Sequence, residues 1–192
     1  NKRFYNLDVN WENQVLITSG ATEALAASML ALIEPGDEVI VMEPVYDSYV
    51  PMIMRAGGIP KPVRLLPPEW ELSEDVLRAA FSGKTKLLLL NTPHNPAGKV
   101  YTDQELGMIA ALAVEHDCYV VCDEVYEHIV FDGHTHNPIM KYPGMAERTL
   151  RIGSAGKTFS MTGGKVGYVT APPALYAALA QAHQFLTFTT PP

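Results

Sequence analysis

Two lysines eight residues apart, Lys157 and Lys165, stand among small residues, in Gly153-Ser154-Ala155-Gly156-Lys157-Thr158 and Thr162-Gly163-Gly164-Lys165. A lysine at a strand end can form a Schiff base with a carbonyl when desolvation or a nearby cation depresses its pKa. A second cation close by can serve a phosphate. The ordinary alternative is two surface lysines around a glycine-rich turn. A nucleotide P-loop is excluded, because its first glycine would fall at position 151, which is Arg. Ser19-Gly20-Ala21-Thr22 sits where a strand turns into a helix. Glycine lets backbone approach a ligand, and a helix start offers free N–H groups to an anion; taken alone, the motif reads more readily as an ordinary strand-to-helix turn with Thr22 as its cap. Asp123-Glu124-Val125-Tyr126 follows an apolar run, so Asp123 is either a satisfied sheet-edge carboxylate or a functional charge. Asn95-Pro96-Ala97-Gly98 is explained by turn chemistry alone. His134 and His136 read as residues of a solvated loop, and no metal site is expected, since no further ligands are spaced to join them. Met52 and Met54 read as fillers of core or interface space.

Each of these groups needs an element to hold it. Short apolar runs at 15–18, 39–42, 61–65, 86–90, 119–122 and 150–152 read as strands. Between them lie helical patterns at 22–32, 46–56, 74–81 and 103–116, with Ser73 and Thr102 as caps and Glu34-Pro35-Gly36-Asp37 as a stop signal. Unbroken apolar strands alternating with amphipathic helices indicate a mostly parallel sheet covered on both faces, an α/β/α three-layer architecture. In open α/β sheets chemistry gathers beyond the carboxyl ends of the strands. The candidate groups all fall at such ends.

The composition is consistent with this. The chain has 192 residues, of which 47% are hydrophobic, enough for a buried core. A net charge of −7 argues against nucleic-acid or anionic-membrane partners. No run reaches the roughly 18 apolar residues of a membrane helix, and the N-terminus does not read as a signal peptide. Cys118 and Cys122 lie along one strand, about 13 Å apart, too far for a disulfide. They read as buried thiols of a reducing cytoplasm.

Taken together and in order, Ser-Gly-Ala-Thr, Asn-Pro-Ala-Gly, Asp-Glu-Val-Tyr and Ser-Ala-Gly-Lys…Gly-Lys-Val-Gly-Tyr resemble the large domain of the fold-type-I, pyridoxal-phosphate-dependent aminotransferases of class I/II. Asn91-Thr-Pro-His-Asn-Pro, Asp123-Glu-Val-Tyr-Glu-His and Gly156-Lys-Thr-Phe-Ser-Met-Thr-Gly carry a finer likeness to the methionine/kynurenine branch. The resemblance implies that Lys157 holds pyridoxal 5'-phosphate as a Schiff base and moves the substrate proton. It implies that Asp123 pairs with the ring nitrogen, that Asn95 and Tyr126 hydrogen-bond the phenolic oxygen, and that Tyr46 stacks on the ring. Gly20, Ala21, Thr22, Ser154 and Lys165 would form the phosphate cup. Phe188 aligns with an aromatic that reaches a neighbouring subunit's site, which implies a homodimer.

Two departures stand out. Gly164 replaces the usual large residue, often Trp, before the phosphate lysine, so looser packing is expected there. The smaller domain, with its N-terminal segment and carboxylate-clamping arginine, has no counterpart, and Thr189-Thr190-Pro191-Pro192 reads as a chain cut mid-structure. Residues 1–192 are therefore expected to be the cofactor domain alone. The implied reaction is ping-pong amino transfer from an apolar, sulfur-containing or aromatic amino acid to a 2-oxo acid. The alternatives are a C–S β-lyase using the same cofactor and a non-catalytic cofactor-binding module.

Overall fold

The computed structural model describes residues 1–187. In chain order it contains α1 (Lys2–Tyr5), α2 (Trp11–Gln14), β1 (Val15–Thr18), α3 (Ala21–Leu32), β2 (Glu38–Glu43), α4 (Tyr49–Arg55) and β3 (Ile59–Arg64). There follow α5 (Glu74–Ala80), β4 (Thr85–Asn91), α6 (Asp103–Glu115), β5 (Tyr119–Asp123), β6 (Thr149–Ser154), α7 (Ala155–Thr158), β7 (Gly167–Thr170) and α8 (Pro173–Leu186). The seven strands form one sheet in the order β1-β7-β6-β5-β4-β2-β3. Pairings from β3 through β6 are parallel, and β7 runs antiparallel to both β6 and β1.

The apolar runs are continuous because both faces of the sheet are covered. On β4, Leu87 and Leu89 enter one core with residues of α3, α4 and α8, while Leu88 and Leu90 enter the other with residues of α5 and α6. Strand side chains alternate, so four consecutive leucines feed two cores. Each fully buried leucine stabilises the fold by about 1.5–3 kcal/mol relative to exposure. Helix α6 begins in a complete capping box. Thr102 Oγ1 accepts the Glu105 N–H and the Glu105 carboxylate accepts the Thr102 N–H. Two N–H groups that the first turn leaves unpaired are thereby satisfied.

Two sequence expectations are corrected. The helix expected over 46–56 begins only at Tyr49. Pro51 has no N–H to offer the carbonyl four residues back, so it is tolerated in a first turn and not inside a helix begun at 46. Ser73 caps α5 by position, but its side chain makes no capping hydrogen bond. The sequence reading also passed over β7 and α8. Strand β7 is only four residues long, and α8 starts on Pro173, a favoured first helical residue.

Candidate active site

The carboxyl ends of β4, β5 and β6 present Asn91, Asp123 and Ser154, and the end of β1 leads through Ser19 and Gly20 into α3. Gly20 adopts φ +82°, which favours glycine. Gly167, opening β7, passes so close that a Cβ there would lie 2.5 Å from the Gly20 carbonyl carbon. Backbone thus packs on backbone, and this fixes the turn. Glu23 adds a second restraint: its carboxylate accepts the Ser19 N–H at 3.0 Å and pairs with His183 Nδ1 of α8 at 2.8 Å. The first N–H groups of α3, at Ala21 and Thr22, have no intrahelical acceptors and lie at a cleft.

That cleft has a volume of about 410 Å³, within the range of small-molecule sites. All ten expected cofactor residues line it. Gly20, Ala21 and Thr22 come from the first turn of α3, Tyr46 from the segment before α4 and Asn95 from the loop after β4. Asp123 and Tyr126 come from the end of β5, and Ser154, Lys157 and Lys165 from the segment joining β6 to β7. Phe188 lies outside the described residues.

Asp123 forms the floor. Its Oδ2 accepts the Tyr49 hydroxyl at 2.7 Å and its Oδ1 accepts the Val125 N–H at 3.3 Å. Burial pushes its carboxyl up to about 6, against the opposing effect of those two hydrogen bonds and of the Lys157 charge. Burial and the neighbouring carboxylate hold the Tyr49 phenol well above its ordinary value, so it stays a donor. The Asn95 amide nitrogen lies 3.5 Å from the Tyr126 hydroxyl, so two groups expected to share one acceptor do stand together. Asn91 sets that loop: its amide donates to the Asp123 carbonyl at 2.9 Å and its Oδ1 accepts the Asn95 N–H at 2.6 Å. The Lys157 ammonium sits 5.4 Å from the centre of the Tyr126 ring.

The sequence reading gives no site role to Tyr49, Asn91 or Thr162, which also line the cleft, although Asn91 and Thr162 fall within its strand-end motifs. Asn91 carried a signal, since it ends an apolar strand. Tyr49 carried none beyond lying three residues after Tyr46. Other expectations change. Lys157 is exposed rather than desolvated. His136 is not a solvated loop residue; it is buried, with Nε2 2.8 Å from Glu124 Oε2. Met54 is exposed, whereas Met52 packs against a core. At Gly164 the space is already partly taken, because a Cβ would lie 2.9 Å from the Met161 methyl carbon. Cys118 and Cys122 are buried free thiols. Among the described residues no group of three or more His, Cys, Asp or Glu could hold a metal ion, and no helix is long and apolar enough to cross a membrane.

A family model described as aminotransferase class I and II matches residues 2–192. The chain belongs to this family. Among class I and II aminotransferases it is 46% identical to kynurenine–oxoglutarate transaminase 3 of Mus musculus, over 98% of this chain and 44% of that protein. It is 40% identical to the methionine aminotransferase of Escherichia coli K12, over 98% of this chain and 49% of that protein. The solved N-succinyldiaminopimelate aminotransferase from Mycobacterium tuberculosis superposes with a TM-score of 0.96 at 45% identity, covering 98% of this chain and 50% of that one. The chain thus spans about half the length of the relatives it matches. The aminotransferase family depends on pyridoxal 5'-phosphate, and the donor set here suits that group. A helix start with Ser154 and Lys165 suits a phosphate. A buried carboxylate whose proton affinity is raised suits a cationic ring nitrogen, and Lys157 supplies an amine on the same cleft.

Proposed function

We propose that residues 1–192 form the cofactor-binding domain of a pyridoxal-phosphate-dependent aminotransferase, a homodimer that moves an amino group from an amino acid to a 2-oxo acid. The observation that carries this reading is convergence. Ten residues drawn from separate stretches line one cleft, with a buried carboxylate at its floor.

Pyridoxal phosphate, when bound, supplies a carbonyl that exchanges amines and a ring that accepts electrons. The residues of the chain do the rest. Ala21 and Thr22 N–H groups, the Ser154 hydroxyl and Lys165 would hold the phosphate. Asp123, relieved of its raised proton affinity by a cation beside it, would ionise and keep the ring nitrogen protonated. Tyr49 would keep that carboxylate oriented. Asn95 and Tyr126 would donate to the phenolic oxygen, and Tyr46 would cover one face of the ring. Lys157 would hold the cofactor through its amine and, once freed, carry the proton at the substrate Cα.

An apolar, sulfur-containing or aromatic donor is supported by relatives named for kynurenine and methionine. The dimer is supported by Phe159 and Met161, apolar and exposed close to the cleft residues Lys157 and Thr162. The two buried free thiols support a cytoplasmic setting.

The test is chemical. Protein loaded with pyridoxal phosphate and reduced with borohydride is expected to carry the label on Lys157. In unreduced protein, methionine or kynurenine alone should yield no more than one equivalent of its 2-oxo acid per site, and should turn over repeatedly only when an amino acceptor is present. A label on another lysine would overturn the site. Ammonia and a 2-oxo acid formed from a sulfur amino acid without acceptor would replace transfer by elimination.

A further inference from the structure

Glu124 and Glu127 belong to the same turn as Asp123 and Tyr126 but face away from the cleft, toward one arginine. Arg151 of β6 is fully buried, and its Nε and Nη2 donate to carboxylate oxygens of Glu124 and Glu127 respectively. Its Nη1 donates to Asn1 Oδ1 at 2.6 Å, and the guanidinium lies 5.0 Å from the Tyr5 ring centre. His136 adds a contact to Glu124, and the Tyr168 hydroxyl donates to Glu127 Oε1 at 2.9 Å. The Tyr168 ring lies across Gly153, where a Cβ would meet it at 2.2 Å. The turn is closed by the Glu127 N–H donating to the Glu124 carbonyl at 2.9 Å.

We propose that Arg151 is a positioning residue for the site. From the far face of the sheet it grips both ends of the turn that carries Tyr126 in its middle and Asp123 at its start. Strand alternation makes this possible: if Asp123 faces the cleft, Glu124 must face the opposite side. On the cleft side the Tyr126 hydroxyl has, among the described residues, only the long 3.5 Å approach of Asn95. Tyr49 and Asn91 restrain Asp123 from the cleft side, whereas the charged restraints on the Glu124–Glu127 part of the turn come from the other face. A planar guanidinium can bridge two carboxylates in fixed geometry, whereas an ammonium on a flexible stem cannot.

This inference rests on the aminotransferase reading only where cofactor is measured, so the test has two arms. Amide hydrogen exchange at residues 125–127 reports the turn without cofactor. Pyridoxal phosphate affinity and the visible circular dichroism of the bound ring report the site. In Arg151→Lys, exchange at 125–127 should rise at least tenfold, the Kd for pyridoxal phosphate should rise at least tenfold, and the visible band should weaken. Tyr168→Phe should move all three measures the same way by less. Arg148→Met, which removes a surface pair with Asp117, should lower Tm and leave all three unchanged.

Folded Arg151→Lys protein with wild-type exchange and wild-type visible dichroism would overturn the proposal, leaving Arg151 a stabilising residue only. If that variant fails to fold, Tyr168→Phe decides by the same measures. Wild-type protein showing no visible band would defeat the cofactor reading, and the exchange arm alone would then decide the role of Arg151.

Discussion

Asp123 and Glu124 are neighbours in the chain, both buried, and their environments act on them in opposite directions. Asp123 faces a cleft with hydrogen bonds from Tyr49 and the Val125 N–H, and burial prevails, so its carboxyl is pushed up to about 6. Glu124 faces a packed interior. Burial pushes it up too, but the charge of Arg151 and the hydrogen bond from His136 outweigh burial and hold it below the ordinary carboxylate range. Among the described residues, one side of the sheet leaves a carboxylate without an ion-pair partner, and the other pairs its carboxylates with a buried guanidinium, although Glu124 Oε1 accepts no hydrogen bond. The missing cation on the cleft side is what a ligand can provide. The paired side is where the strand ends gain their rigidity.

The comparison can be broken in several places. The largest effect is expected at the amine on the cleft rim. Lys157→Ala should lower turnover by about 10⁴-fold or more, since one group is both attachment point and proton carrier; steady-state and single-turnover rates check this. Next, Asp123→Asn should cost the rate several kcal/mol, about 10³-fold, through the missing charge at the ring nitrogen. The same variant should have the higher Tm at neutral pH without cofactor, because it removes a buried carboxylate held in an unfavourable ionised form. Glu124→Gln should behave in the opposite manner. It leaves Arg151 short of a counter-charge and should lower stability by about 3–5 kcal/mol, read by urea unfolding.

The two carboxylates should also respond to different pH windows. For Asp123 the folded pKa lies above the unfolded one, so ionisation destabilises the fold at neutral pH by about 3 kcal/mol, and acidification through pH 6 toward 4 relieves it. The Tm advantage of Asp123→Asn over wild type should therefore shrink across that window. For Glu124 the folded pKa lies below the unfolded one. Its contribution is present above the usual glutamate value and is lost as pH falls beneath it. The smallest effect is expected at Lys165. Lys165→Ala should weaken pyridoxal phosphate binding about tenfold, near 1.4 kcal/mol, with the chemical step retained at saturating cofactor; a titration followed by visible absorbance checks both.

Much of the site was legible because its residues belong to short local words that occur together and in order. Singly, Ser19-Gly20-Ala21-Thr22 also reads as an ordinary turn, Lys157 as a surface lysine and Asp123 as a satisfied sheet-edge carboxylate. Tyr49 was not legible, because its partner Asp123 is 74 residues away and the hydrogen bond joining them depends on how α4 lies against β5. His136 was misread for a similar reason. Its local words, Gly, Asp and Asn, describe a loop, and only packing against Glu124 buries it. Arg151 drew notice only as the residue that spoils a P-loop, although it is the largest side chain in the fully buried set.

By itself the sequence determined the alternation of strands and helices, the sidedness of the sheet and the residues at the strand ends. Apolar periodicity and turn chemistry are local properties that each segment carries with it. Tertiary structure decided which charges are paired and which are left open. Strand order and helix packing bring Tyr49 to Asp123 and Arg151 to Glu124 and Glu127. No segment can encode alone the dielectric and the partners its side chains will meet, because these are supplied by residues far along the chain.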